Sequence, residues 1–392
     1  MRRISLFCLS VLSLLLIFHV ADAQTQPILI LADGDIWSFS SPDAEPFRET
    51  YWGHSEDLSL SPDGRYVAYG SLPDWLVERD AAGLEPQINY DTHPPTNIWI
   101  MEIATRTFTQ IATQDEPSLE EPYRYVQRST PRWSPDSRKI AWLEANREYS
   151  TGGLNLVVYD IESETISYGH GDLPGVSGDG GFWNMTNSLT WGETLALSAF
   201  SYQLEAGVLL LLDVDSIEQE RILSYGYSIS ENDVQSWRWV QHNGDWYIGL
   251  RYVYGWQLWD YETDTYYEAT SEPTLQNVNG QGFRLSYDSD ISRWTAIQPG
   301  GEVIMLPEGM ISAVLSPDGY SVAYMRSESS EWGSPVYFEV WENGTISQLF
   351  ETEPAWYHRN SIAWASMVWR FDGQLARLPE LTPVPIPTQN QG

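Results

Sequence analysis

Five histidines lie beyond the first 23 residues, His54, His93, His170, His242 and His358, and their spacing bounds the metal chemistry open to this chain. No two stand as His-x-His and none belongs to a His-Glu-x-x-His string, so no contiguous stretch supplies a zinc site. Four of them, His54, His93, His170 and His358, fall in long connecting segments, where ligands from separate segments could still meet at one point. The single cysteine, Cys8, lies inside the N-terminal apolar run, which removes thiol catalysis and disulfides from the rest of the chain. A Gly-x-Ser-x-Gly nucleophile turn is absent; the nearest string, Gly175-Val176-Ser177-Gly178-Asp179, lacks the final glycine. Acidic clusters at Asp213, Asp215 and Glu218, at Asp288 and Asp290, and at Asp172 and Asp179 do not fit the twelve-residue calcium loop and read as turns. No cofactor is expected.

The other residues suited to recognition are aromatic. Trp52, Trp75, Tyr90, Tyr123, Trp183, Trp332 and Trp356 stand in irregular stretches between strands, where flat rings can anchor a peptide or stack on a sugar. Packing beneath a long loop is the alternative for each. The loops around them are acidic, and Arg79, Arg124, Arg128 and Arg147 are the cations that an acid polysaccharide could use there. Tryptophans inside apolar runs, such as Trp99, Trp133, Trp142, Trp191, Trp239, Trp259 and Trp364, read as core.

The elements that hold these residues announce themselves by a recurring turn. Ser61-Pro62-Asp63-Gly64, Ser134-Pro135-Asp136-Ser137 and Ser316-Pro317-Asp318-Gly319 each precede a short apolar run. Proline presets φ, aspartate bonds local backbone, and glycine or a small residue closes the turn between two strands. A second unit, an apolar strand ending in an acidic or small residue, recurs at Ile36–Ser40, Ile98–Glu102, Leu156–Asp160, Leu209–Asp213, Gln257–Asp260, Val303–Pro307 and Phe338–Glu342. Several of these strands are apolar on both faces, as a sheet covered on both sides requires. Weaker hairpins are expected near Leu189 to Phe200, Trp237 to Leu250, Phe283 to Ile297 and Ile362 to Phe371.

This pattern resembles the WD40-like β-propeller repeat of the TolB family over residues 27 to 379. The resemblance implies an all-β propeller of four-stranded blades. The strand count gives seven blades; departures from the motif leave six and eight open. Strands near Ile28 to Arg48 would complete the last blade. Short turns would share one face, while Ser71 to Thr96, Ala112 to Thr130, Gly169 to Ser188, Gly226 to Val234, Thr270 to Gln281, Arg326 to Pro335 and Glu351 to Asn360 would open on the other.

Arg2 and Arg3, the apolar run to Val20 and Ala21-Asp22-Ala23 read as a secretory signal, so residues 1–23 are expected to be removed, 24–379 to form one propeller and the proline-rich 380–392 a disordered tail. That predicts a secreted or periplasmic protein with no stable membrane insertion after cleavage. A formal charge of −33 repels phosphate backbones and excludes nucleic acid as a primary partner. The expectation is a non-catalytic propeller that binds a protein or peptide partner through its long-loop face. The alternative is a carbohydrate-binding or metal-dependent polysaccharide-lyase-like propeller, for which a glycan is the ligand.

Overall fold

The structure is a computed structural model, and it describes residues 26–82, 95–118, 125–146, 154–169, 189–201, 206–214, 218–225, 234, 236–288, 292–329, 334–352 and 360–378. Apart from one helix, Asp74–Ala81, the regular elements described are β-strands. They form six sheets, one of ten strands that joins two consecutive antiparallel groups, so that seven groups follow one another along the chain. The first holds Ile28–Ala32, Asp35–Phe39 and Phe47–Arg48, with Ser361–Ala363 hydrogen-bonded to Ile28–Ala32. The second runs Ser55–Leu60, Tyr66–Ser71, Asn97–Glu102, Thr107–Ala112. In the third, Val126–Arg128 and Arg132–Trp133 both pair with Lys139–Asn146, followed by Leu154–Asp160 and Thr165–Tyr168. The fourth is Leu189–Trp191, Leu195–Ser201, Ala206–Asp213 and Glu218–Tyr225. The fifth comprises Ser236–His242, Asp245–Tyr252, Gly255–Asp260 and Thr265–Ala269; the sixth, Thr274–Asn277, Arg284–Asp288, Arg293–Ile297 and Val303–Met305. Met310–Leu315, Ser321–Ser327, Val336–Glu342 and Thr345–Glu351 make the seventh.

Apolar residues on both faces of the middle strands explain how the groups associate. Every residue of Ile28–Ala32 is buried, with Leu29 and Leu31 against Val67 and Tyr69 of the second group and Ile28 and Ile30 against Phe338 and Val340 of the seventh. Ile98 and Ile100 meet Trp133 and Trp142 of the third group, whose Leu143 and Leu156 meet Leu195 and Leu210 of the fourth. Leu209 and Leu211 then pack on Trp239 and Ile248 of the fifth, and Leu285 of the sixth on Val322 and Tyr324 of the seventh. Each such side chain removed from water contributes about 1.5–3 kcal/mol.

The fifth and sixth groups are joined differently. Met367–Arg370 hydrogen-bonds between Ser236–His242 and Thr274–Asn277, making one ten-stranded sheet edged by Leu375–Arg377. The Phe371 N–H donates to the Gln241 carbonyl at 2.9 Å, and the ring is buried with Val240 and Leu258. Ile362 to Phe371 is therefore not the expected hairpin. Its two strands pair with different groups because each fills a vacant edge beside a first strand. Thr270 to Gln281 is likewise not simply a loop, since it contains Thr274–Asn277. That strand shifts the sixth group by one, so Val303–Met305 is an exposed edge and not the equivalent of the buried strands that match it in sequence.

The recurring turns have the expected chemistry. At the first, the Ser61 hydroxyl donates to Asp63 at 2.7 Å and accepts from the Tyr66 N–H at 2.9 Å, while Asp63 accepts from the Arg65 N–H at 3.0 Å. Ser134 and Asp136 repeat these bonds with Lys139 and Arg138, and Ser316 and Asp318 with Ser321 and Tyr320. Each turn links the first strand of its group to the next.

Candidate functional site

A cavity of about 880 Å³ lies among the first strands of the second to seventh groups. Leu58 to Leu60, Arg132 and Trp133, Thr190 and Trp191, Trp237 to Trp239, Val278 and Val314 line it, together with Ile362, Ala363 and Ala365 to Trp369 of the C-terminal segment. Pro62, Asp63, Pro135 and Asp136 of the recurring turns lie at its wall. The carboxylates of those turns are engaged by their own serines and backbone.

Two arginines provide the cationic lining. Arg132 is half-buried; its Nε donates to the Leu189 carbonyl at 3.2 Å, tying the third group to the fourth. Burial lowers its pKa, and the charge of Asp57 opposes that shift. Arg238 follows from strand alternation: Trp237 and Trp239 point into the fourth-group interface, so Arg238 shares the opposite face with Val240. Its guanidinium carbon lies 3.8 Å from the centroid of the Trp369 ring and 4.4 Å from that of Trp256. Burial pushes its pKa down to about 10, with Glu272 opposing and Arg251 reinforcing the shift. Glu272 is itself held by the Trp256 indole N–H at 3.2 Å. Ring faces stabilise a desolvated cation by roughly 0.5–2 kcal/mol without using its N–H donors.

The aromatic and histidine residues singled out in the sequence are only partly described. Trp52 is 43% exposed and its ring lies tilted against that of Trp99, with centroids 5.3 Å apart. Trp75 stands on the helix Asp74–Ala81, a helix where a loop was expected, favoured by Asp74 in its first turn and Arg79 in its last. Its indole N–H donates to the Gln114 carbonyl at 3.1 Å, and it packs with buried Leu76 and Tyr125. Tyr90, Tyr123, Trp183, Trp332, Trp356, His93, His170 and His358 lie outside the described residues. His54 precedes Ser55–Leu60, and its carbonyl accepts the Leu72 N–H at 3.0 Å. Among the described residues no three His, Cys, Asp or Glu side chains are grouped to hold a metal. Arg128, expected as a glycan-facing cation, is instead paired with Glu144 at 2.7 Å and nearly buried, and Arg79 pairs with Glu116 at 2.7 Å. Arg124 and Arg147 lie outside the described residues. No described helix is long and apolar enough to cross a membrane.

Neither Arg132 nor Arg238 stood out in the sequence. The usable signal was Trp237-Arg238-Trp239, a cation whose strand neighbours both point into core.

No protein-family model matches the chain. Dipeptidyl-peptidase 5 of Aspergillus oryzae is 30% identical over 167 residues, 41% of this chain and 20% of that protein. A probable dipeptidyl-peptidase 5 of Aspergillus terreus is 31% identical over 144 residues, 36% of this chain and 17% of the relative. The similarity thus spans about a fifth of the curated relatives' length. Among solved structures, the β-propeller domain of the Trilobed protease from Pyrococcus furiosus shares 16% identity, covering 83% of this chain and 98% of that one at a TM-score of 0.43. Porphyromonas gingivalis dipeptidyl peptidase 4 shares 14%, covering 82% and 48% at 0.39. With TM-scores under 0.5, no functional argument rests on these likenesses.

The dipeptidyl-peptidase relatives overturn the expectation of a non-catalytic binding propeller. The turn motif could not have separated the two, because its residues answer to backbone geometry, whatever the neighbouring cavity does.

Proposed function

We propose that the chain is a seven-bladed β-propeller of peptidase type, whose central cavity receives short peptides for dipeptidyl-peptidase-type hydrolysis. The observation that carries this reading is the 30% identity over 167 residues with proteins named dipeptidyl-peptidase 5. In this reading each strand group is one blade. The packing sequence that runs from the first group and returns to it through the seventh supports a ring. Pairing of Leu29 to Leu31 with Ser361 to Ala363 would fasten the two chain ends in one blade, and Met367–Arg370 would bridge the fifth and sixth.

The cavity volume falls in the range that accommodates small organic ligands, roughly 300–1,000 Å³, and its tryptophans offer apolar area with fixed donors. No Gly-x-Ser-x-Gly occurs in these 392 residues, so the reading gives the propeller the part of receiving the peptide and assigns it no nucleophile. Calorimetric titration of the full chain with Ala-Ala-4-nitroanilide tests the reading. Saturable binding that Val278→Trp abolishes supports it; absence of binding overturns it.

A further inference from the structure

We infer that Arg238 is the anchor for a carboxylate on the ligand of the central cavity, so that the site selects short peptides ending in a free, apolar or aromatic C-terminal residue. This rests on the peptide-receiving reading above. Three observations converge on Arg238. It lines the cavity; its guanidinium carbon is 3.8 Å and 4.4 Å from the Trp369 and Trp256 ring centroids; and, among the described residues, no carboxylate pairs with it. Glu272, the acid whose charge acts on it, accepts the Trp256 indole N–H.

A half-buried guanidinium without a counter-ion is costly, because partial desolvation disfavours its charge and ring faces offer no acceptor to its N–H donors. A carboxylate restores both charge balance and bidentate hydrogen bonds. The surroundings set the rest of the ligand: Trp369 and Trp256 flank the cation, and Val278, Met367 and Val368 add apolar lining to the same cavity, which suits a group with a ring or branched side chain next to its acid. The chain's overall charge of −33 disfavours polyanions, so a single carboxylate on an otherwise neutral body fits the field better than an acidic polymer.

Two sources share this chemistry, the α-carboxylate of a peptide and a free aromatic acid, and separate arms distinguish them. The full chain is titrated calorimetrically with Ala-Ala-Phe, with its C-terminal amide and with N-acetylphenylalanine. Ala-Ala-Phe is expected to bind at least tenfold more tightly than its amide, and Arg238→Gln to erase that difference while the amide affinity stays within twofold. Tighter binding of Ala-Ala-Phe than of N-acetylphenylalanine identifies the peptide as the ligand; the reverse order overturns the peptide assignment. Equal binding of acid and amide to the wild-type chain overturns the inference alone and leaves the peptide reading standing, whereas no binding of either overturns both. Arg238→Lys guards against a folding defect in the glutamine variant: it is expected to keep a reduced preference for the acid, and full retention by both variants contradicts the assignment.

Discussion

Arg238 and Trp369, 131 positions apart in sequence, meet with the guanidinium carbon 3.8 Å from the ring centroid. The contact lays the C-terminal segment directly on a cation of the fifth strand group. It also leaves the cation on the cavity wall, where burial lowers its pKa to about 10 while the ring faces stabilise its charge.

That balance predicts how the residue behaves when its charge is removed. Arg238→Met keeps the bulk and is expected to leave thermal stability at pH 7 unchanged or raised by up to about 2 kcal/mol, since an uncompensated buried charge is lost with the two ring contacts. Because folding lowers the pKa to about 10, the protonated arginine is disfavoured in the fold, and the wild type regains stability as pH rises through that value. The difference between variant and wild type should therefore shrink above pH 10, read by urea unfolding across pH 7 to 11. A large loss of stability at pH 7 would show that the residue is structural.

Asp35 is buried under three partners: the Thr50 hydroxyl at 2.8 Å, the Gly53 N–H at 3.2 Å and the Arg48 guanidinium. These partners fix the segment that carries the chain from the first strand group to the second. Asp35→Ala strands all three donors and is expected to cost about 3 kcal/mol, seen as a lower urea midpoint with unchanged slope.

Glu339 and Arg326 form a two-point pair, Nε to Oε2 at 3.0 Å and Nη2 to Oε1 at 2.9 Å. Burial alone would raise the carboxyl pKa, but the bonds from Arg326 outweigh it and hold the value below the ordinary carboxylate range. A lowered folded pKa means stability present at neutral pH and lost as pH falls through it. Glu339→Gln is expected to lower the midpoint at pH 7 by the equivalent of about 2 kcal/mol, with the gap narrowing as pH falls below the ordinary carboxylate range. A gap independent of pH would contradict the pairing.

The glycines of the turns divide by what surrounds them. Gly319 has φ +79°, and a Cβ there would come within 2.2 Å of the Gln281 carbonyl oxygen; Gly344 has φ +84° with nothing within 4 Å. Gly344→Ala should cost the left-handed penalty alone, about 1 kcal/mol, and Gly319→Ala clearly more, which paired melting curves would show.

The Gly319 turn is one of three that made the fold legible. Serine, proline and aspartate act within four residues, so local chemistry decides the turn and the sequence carries it whole. The middle copy departs at Ser137, whose φ is +62° and whose hydroxyl accepts the Asp63 N–H at 3.0 Å across to the neighbouring turn. That contact spans 74 positions and leaves no local trace. The same holds for Met367–Arg370, an ordinary apolar run whose partners are chosen by which strand edges lie open, and for Arg238, whose place on a cavity wall depends on segments far apart in sequence. Trp75 looked like a binding ring because its loop was acidic and irregular; a helix and Tyr125 turned it inward.

The most direct measurement is photo-crosslinking of the full chain with Ala-Ala-p-benzoylphenylalanine, followed by mass mapping of the adducts. A peptide received in the central cavity places the label on Trp191, Met367 or Trp369, and Val278→Trp removes it. Adducts confined to outer positions such as Trp52, unaffected by that substitution, would contradict the assignment of the cavity as the peptide site.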